Sequence, residues 1–171
     1  MEIQTLKARI YEESVRLGEL LLKNNFCVCT AESCTGGMIS CMLTEISGAS
    51  NWFDRAFITY TNKAKHEMLG VKEDTLNKFG AVSEETVKEM SLGALLNSDS
   101  NIAVAVSGIA GPTGGTEDKP VGTVWLSWAI NGKVLKTSKE IFKGDRNLVR
   151  LQTVVKAVSE MNKIMIDLNR I

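Results

Sequence analysis

The sequence contains one histidine, His66, and two prolines, Pro112 and Pro120. It carries no formal net charge, because 20 lysines and arginines face 20 aspartates and glutamates. Each scarcity excludes something. One histidine cannot build a histidine metal cage. Cys27, Cys29, Cys34 and Cys41 do not replace it, since they lack paired Cys-x-x-Cys spacing. Cys27, Cys29 and Cys41 read as small packed hydrophobes, and the four do not suggest a disulfide framework. The neutral balance gives no electrostatic reason to expect nucleic acid or a charged membrane surface as a partner. No apolar run reaches the length that spans a bilayer. The first residues also lack the basic-then-apolar order of a secretion signal. The expectation is a cytoplasmic protein with no metal or other cofactor.

What is present is an ordinary globular composition, with 44% hydrophobic and 23% charged residues in 171. That length suits one domain over residues 1–171 with a substantial core. Ile3, Leu6, Ile10, Leu17, Leu20 and Leu21 recur at helical spacing and predict a helix over Glu2 to Asn24. Phe26 to Ala31 and Ala56 to Tyr60 read as strands. Met38 to Ile46 and Asn62 to Leu69 read as helices, the second ending at Gly70. Ser83 is placed to cap a further helix with Val87, Met90, Ala94 and Leu95 on its inner face. Asn101 to Ser107 is a continuous apolar run, as in a central strand buried on both faces. Gly108 to Gly122 holds five glycines and both prolines, so it is a loop. Asn131-Gly132 between two alternating runs signals a hairpin. Asp145 then caps a long amphipathic helix reaching Leu168. The order implies a three-layer α/β/α fold on a mixed sheet with a late antiparallel hairpin.

Ligands of such sheets gather at the carboxyl ends of the strands. Three polar stretches leave strands there: "ESCTGG", "YTNKAK" and "SGIAGPTGG". The first offers two nucleophiles. Ser33 sits at a strand-to-helix turn, where amides around Cys34 to Gly36 would face an oxyanion; alternatively Ser33 or Thr35 is only a helix cap. Cys34 is the rival, as a thiolate at a helix start. The base is His66, or one of Lys63 and Lys65 desolvated in a pocket. On a helix, Lys65 and His66 point about 100° apart, so at most one serves the site. Arg146 would hold a phosphate, or else pair with Asp145 or Glu140 on the surface.

Taken together, "TAESCTGG", "ITYTNKAKHEMLGV", "GAVSEETV", "VSGIAGPTGG", "KPVGTVW" and "FKGDRNLVR" are specific. In this order they resemble the CinA carboxy-terminal domain family, the nicotinamide-nucleotide amidohydrolases. The resemblance spans about Thr30 to Arg150. It implies hydrolysis of the amide of nicotinamide mononucleotide to nicotinate mononucleotide and ammonia, in NAD salvage, without a metal. It implies Ser33 as nucleophile and Lys65 as base, with Tyr60 beside them. Thr35, Gly36, Gly37, Asn62, Ser107, Gly108, Gly111, Thr113 and Arg146 would then form the substrate site. It also implies a homodimer or higher oligomer. Thr61 stands where the family often has serine, which keeps a hydroxyl. Full-length CinA proteins carry a large amino-terminal domain, so the expectation is a stand-alone form. The other reading is a non-catalytic nucleotide-binding module of the same fold.

Overall fold

Strand β3 (Ile102–Gly108) lies at the centre of a five-stranded sheet in the computed structural model, which describes residues 2–169. The other strands are β1 (Val28–Glu32), β2 (Phe53–Ile58), β4 (Thr123–Ile130) and β5 (Lys133–Ile141). Their order is β2-β1-β3-β4-β5. β1 runs parallel to both β2 and β3, whereas β4 and β5 are antiparallel. The sheet is therefore mixed. Six α-helices are described: α1 (Glu2–Asn24), α2 (Met38–Thr44), α3 (Asn62–Leu69), α4 (Glu73–Phe79), α5 (Glu84–Leu96) and α6 (Arg146–Leu168).

The two faces of the sheet differ in side-chain size. Val28, Ile102, Val104, Val106, Leu126 and Trp128 pack against α1, α2 and α6 through Ile10, Leu17, Ile39, Val154 and Met161. Cys29, Ala31, Ala103, Ala105 and Ala129 meet Val87, Met90 and Ala94 of α5. Strand alternation is thus large against small, because both faces are covered. Small residues bring the second layer close. A Cβ on Gly93 would lie 1.9 Å from the Leu69 carbonyl oxygen, so α5 touches the end of α3 directly.

The caps follow the sequence. Ser83 Oγ accepts from the Thr86 amide at 3.2 Å, and Asp145 accepts from the Leu148 amide at 2.9 Å. Asn131 and Gly132 both take positive φ, 48° and 78°, as the β4–β5 hairpin requires. Two strands are shifted from expectation. Asn25 (φ 54°) ends α1 and the Phe26 amide bonds back to the Leu21 carbonyl, so β1 starts at Val28 and runs on to Glu32. Parallel pairing begins at Val28 and Phe53, so β2 ends at Ile58 and Tyr60 falls in the turn before α3. Helix α4 was not expected at all. Two turns between glycines carry too few apolar positions to show a period.

Candidate active site

Parallel pairing puts the carboxyl ends of β1, β2 and β3 at one edge of the sheet, so the three polar stretches meet there. The Ser33 amide continues the ladder by donating to the Val106 carbonyl at 3.1 Å, beside Ser107. Thr61 Oγ1 accepts from the Ala64 amide at 3.1 Å and starts α3 at Asn62. That start aims Lys65 inward. Its Nζ lies 3.0 Å from Ser33 Oγ, 2.8 Å from the Thr59 carbonyl and 3.4 Å from the Tyr60 carbonyl. Lys65 is 1% exposed and Ser33 7%.

No acidic side chain shares in these contacts. Two carbonyls and a hydroxyl suit either form of the amine. Protonated, Lys65 donates three hydrogen bonds. Neutral, it keeps two N–H groups for the carbonyls and turns its lone pair toward the serine hydroxyl. Burial is the main cause that lowers the Lys65 pKa from 10.5 to about 8, with Cys34 acting in the opposite sense. Cys34 is buried too, and burial raises its thiol to about 11. A thiol held protonated at neutral pH is a poor nucleophile, so the thiolate alternative loses its basis. His66 points away, its Nδ1 2.8 Å from the Val71 carbonyl.

The turn after β1 is wound around a residue that the sequence reading passed over. Glu32 is fully buried. Its carboxylate accepts from Thr30 Oγ1 (3.1 Å), Thr35 Oγ1 (2.6 Å), and the amides of Gly37 (3.1 Å), Ile39 (3.0 Å) and Ser40 (2.8 Å). Helix α2 is therefore capped by Glu32, not by Ser33 or Thr35; its cap position is Gly37. Gly37 has φ +94°, and a Cβ there would stand 2.9 Å from Ile58 Cδ1. The Gly36 amide is taken by the Ser33 carbonyl, which removes it from the expected oxyanion donors. Among the described residues, the amides of Cys34 and Thr35 donate to no other residue.

A second, exposed part of the site begins α6. Arg146 Nη1 donates to the Gly111 carbonyl at 3.0 Å, and its Nη2 to Tyr60 Oη at 2.9 Å. It pairs with neither Asp145 nor Glu140. One turn on, Arg150 Nη2 donates to the Thr35 carbonyl at 2.7 Å, while its Nε is buried without a partner. Arg146 and Arg150 both line a groove of about 430 Å³ with Ala110, Pro112, Val121 and Asn147. Neither forms an ion pair among the described residues.

The structure thus gathers Ser33, Lys65 and the Tyr60 carbonyl at one centre, and Gly111, Arg146 and the Tyr60 hydroxyl at its rim. Gly36 lies on the rim near Arg150, and a Cβ there would stand 3.6 Å from its Nη2. Ser107 and Gly108 close the β3 end, and Thr113 is exposed on the following loop. The Thr35 hydroxyl faces inward to Glu32. Asn62 is not brought to Ser33; it lines a groove of about 500 Å³ with His66, Glu73 and Asn77, which holds neither Ser33 nor Lys65. Reasoning from sequence missed Glu32, Thr59 and Arg150. A charged residue at the end of an apolar strand, and a second arginine at i+4 from Arg146, were the available signals.

No helix of the described residues is long and apolar enough to cross a membrane, and no group of three or more metal-ligating side chains occurs among them. Residues 11–165 match the family model of the CinA C-terminal domain. The chain is 55% identical over 148 residues to a nicotinamide-nucleotide amidohydrolase PncC of Enterobacter agglomerans, covering 86% of this chain and 90% of that protein. It is 46% identical over 154 residues to the protein of the same name from Escherichia coli K12, covering 90% and 93%. The crystal structure of competence/damage inducible protein CihA from Agrobacterium tumefaciens superposes with a TM-score of 0.88 at 47% identity, covering 92% of this chain and 95% of that one. A CinA superfamily protein from Klebsiella pneumoniae gives 0.89 at 35% identity, covering 92% and 98%. Fold and sequence agree: the chain belongs to the CinA C-terminal domain family.

Proposed function

We propose that this chain hydrolyses the carboxamide of nicotinamide mononucleotide, releasing ammonia and nicotinate mononucleotide for NAD salvage, with Ser33 as nucleophile and Lys65 as base. One observation carries the reading: a lysine amine, 1% exposed, lies 3.0 Å from a serine hydroxyl with no acid beside it. Neutral Lys65 takes the Ser33 proton as Oγ bonds to the carboxamide carbon. The tetrahedral oxyanion is met by the free amides of Cys34 and Thr35. Lys65 returns its proton to the amide nitrogen, the C–N bond breaks, and ammonia leaves. Water, deprotonated by Lys65, then attacks the acyl ester and frees the carboxylate and Ser33. Arg146 and Arg150 hold the phosphate at the other end of the substrate. The two relatives named as nicotinamide-nucleotide amidohydrolases support this choice of substrate. A cytoplasmic location and a homo-oligomer belong to the same reading. A module that only binds nucleotide gives no reason to bury Lys65 against Ser33 at the cost of its charge.

The test is ammonia release from nicotinamide mononucleotide by the wild type, Ser33→Ala and Lys65→Ala. Turnover by the wild type alone is the expected result. Undiminished turnover by Ser33→Ala would remove the nucleophile from the scheme.

A further inference from the structure

We propose that Glu32 is the positioning residue of the nucleophile loop, its carboxylate holding the turn that presents Ser33 to Lys65. The proposal rests on the reading of Ser33 and Lys65 as the reacting pair. Glu32 is the last residue of β1 and is fully buried. Five donors converge on it, at 2.6 to 3.1 Å. Five donors with no opposing acceptor saturate an acceptor-only group. A carboxylate that served only as a helix cap would need the amides at the start of α2. This one also takes the hydroxyls of Thr30 and Thr35, which flank Ser33 on either side.

The same residue reaches the lysine by its main chain. The Glu32 carbonyl accepts from the Thr59 amide at 2.8 Å, and the Thr59 carbonyl accepts from Lys65 Nζ at 2.8 Å. Glu32 therefore fixes the turn that carries the nucleophile and pins the strand end that carries the acceptor of the base. Because its carboxylate consumes the Gly37, Ile39 and Ser40 amides, the α2 terminus has none of these to offer a substrate anion. The Thr35 carbonyl is held from outside by Arg150, so the Cys34–Thr35 amides are fixed from two sides.

The test is Glu32→Gln, which keeps the shape and puts an amide N–H₂ against the donors. Misplacing reacting groups by about an ångström costs roughly hundredfold in rate, so kcat should fall by about that factor. KM should stay within about threefold, since substrate binding is untouched. The crystal structure of the variant should show Ser33 Oγ drawn away from Lys65 Nζ. A folded Glu32→Gln protein with near-wild-type kcat, or with a raised KM and unchanged kcat, overturns the proposal. So does an unchanged Ser33–Lys65 distance. If Glu32→Gln does not fold, Thr35→Val removes the 2.6 Å bond from the other side. A lowered kcat in Thr35→Val, restored in Thr35→Ser, supports the proposal; equal kcat in both overturns it. If the wild type releases no ammonia, the amidohydrolase reading fails by itself, and the distance in the variant structure still decides the role of Glu32.

Discussion

The two ends of the site are built on opposite principles. At one end, Lys65 and Ser33 are buried and held by main-chain carbonyls. At the other, Arg146 and Arg150 sit in an open groove, oriented by the Gly111 and Thr35 carbonyls. Both ends carry a cation without an acidic partner. Burial makes the difference. A dehydrated ammonium loses charge, which is what a proton acceptor needs. A guanidinium keeps its charge in any setting, which is what an anion ligand needs. On the proposed reading, the same device, a cation oriented by neutral carbonyls, would serve chemistry in one place and binding in the other. Substitutions at the buried end should therefore act on kcat, and those at the open end on KM.

The largest effect that would break this division is at Lys65. Lys65→Ala should lower kcat by about four orders of magnitude, as removing one member of a coupled catalytic set does. In the wild type, kcat should rise with pH as the lysine loses its proton. Below the midpoint near pH 8 the rate should change about tenfold per pH unit. A pH profile flat over about two units below the midpoint near pH 8 would leave Lys65 without its role as base.

Burial of that cation should also appear in stability. The folded pKa, about 8, lies below the ordinary 10.5. Below pH 8 both states hold the proton, and the folded state bears the full penalty. Between about 8 and 10.5 the unfolded chain binds more protons, so folding stability rises with pH. The rise amounts to about 3 kcal/mol at 1.4 kcal/mol per unit. Raised thiols at Cys27, Cys29 and Cys34 work in the opposite direction over the same range. Subtracting urea unfolding curves of Lys65→Met from those of the wild type at each pH isolates the lysine. A difference that does not grow from pH 7 to 10 would mean that Lys65 is not desolvated as described.

The open end should respond differently. A charge-assisted hydrogen bond to phosphate contributes about 1.5–3 kcal/mol, so Arg146→Ala and Arg150→Ala should each raise KM by roughly ten- to a hundredfold. Nicotinamide riboside, which lacks the phosphate, should be turned over equally by the wild type and by Arg146→Ala. Loss of kcat in Arg150→Ala at saturating substrate would shift Arg150 to the buried end, through its bond to the Thr35 carbonyl.

The same contrast separates what the sequence made legible from what it did not. Local signals were sufficient for α3, α6 and the Asn131–Gly132 hairpin, because caps and turn residues act within a few positions. The Ser33–Lys65 pair came from family motifs and not from spacing, since 32 positions separate partners that only the parallel β1–β2 pairing brings together. Glu32 was illegible for a related reason. Its five donors lie within eight residues of it, but nothing in "TAESCTGG" shows that the chain folds back over the carboxylate. Asn62 opens α3 and lines the outer groove with His66, one turn on, a placement that no local signal in "YTNKAK" distinguishes from a place beside Ser33.

Tyr60 belongs to both ends and tests the division most finely. Its carbonyl lies 3.4 Å from Lys65 Nζ, while the residue as a whole is 58% exposed and its hydroxyl meets Arg146. The family resemblance places Tyr60 among the catalytic residues; the geometry divides that assignment between main chain and side chain. Tyr60→Phe keeps the carbonyl and removes only the hydroxyl. A single hydrogen bond of about 1 kcal/mol is lost, so KM should rise about fivefold while kcat stays within about twofold. Steady-state kinetics across pH 6–9, roughly the span of the lysine titration, separates the outcomes. If kcat instead falls a hundredfold, the hydroxyl must leave Arg146 during turnover and act in proton transfer. The buried end would then extend to the edge of the groove, and the arginines would be holding a reacting group in place until substrate arrives.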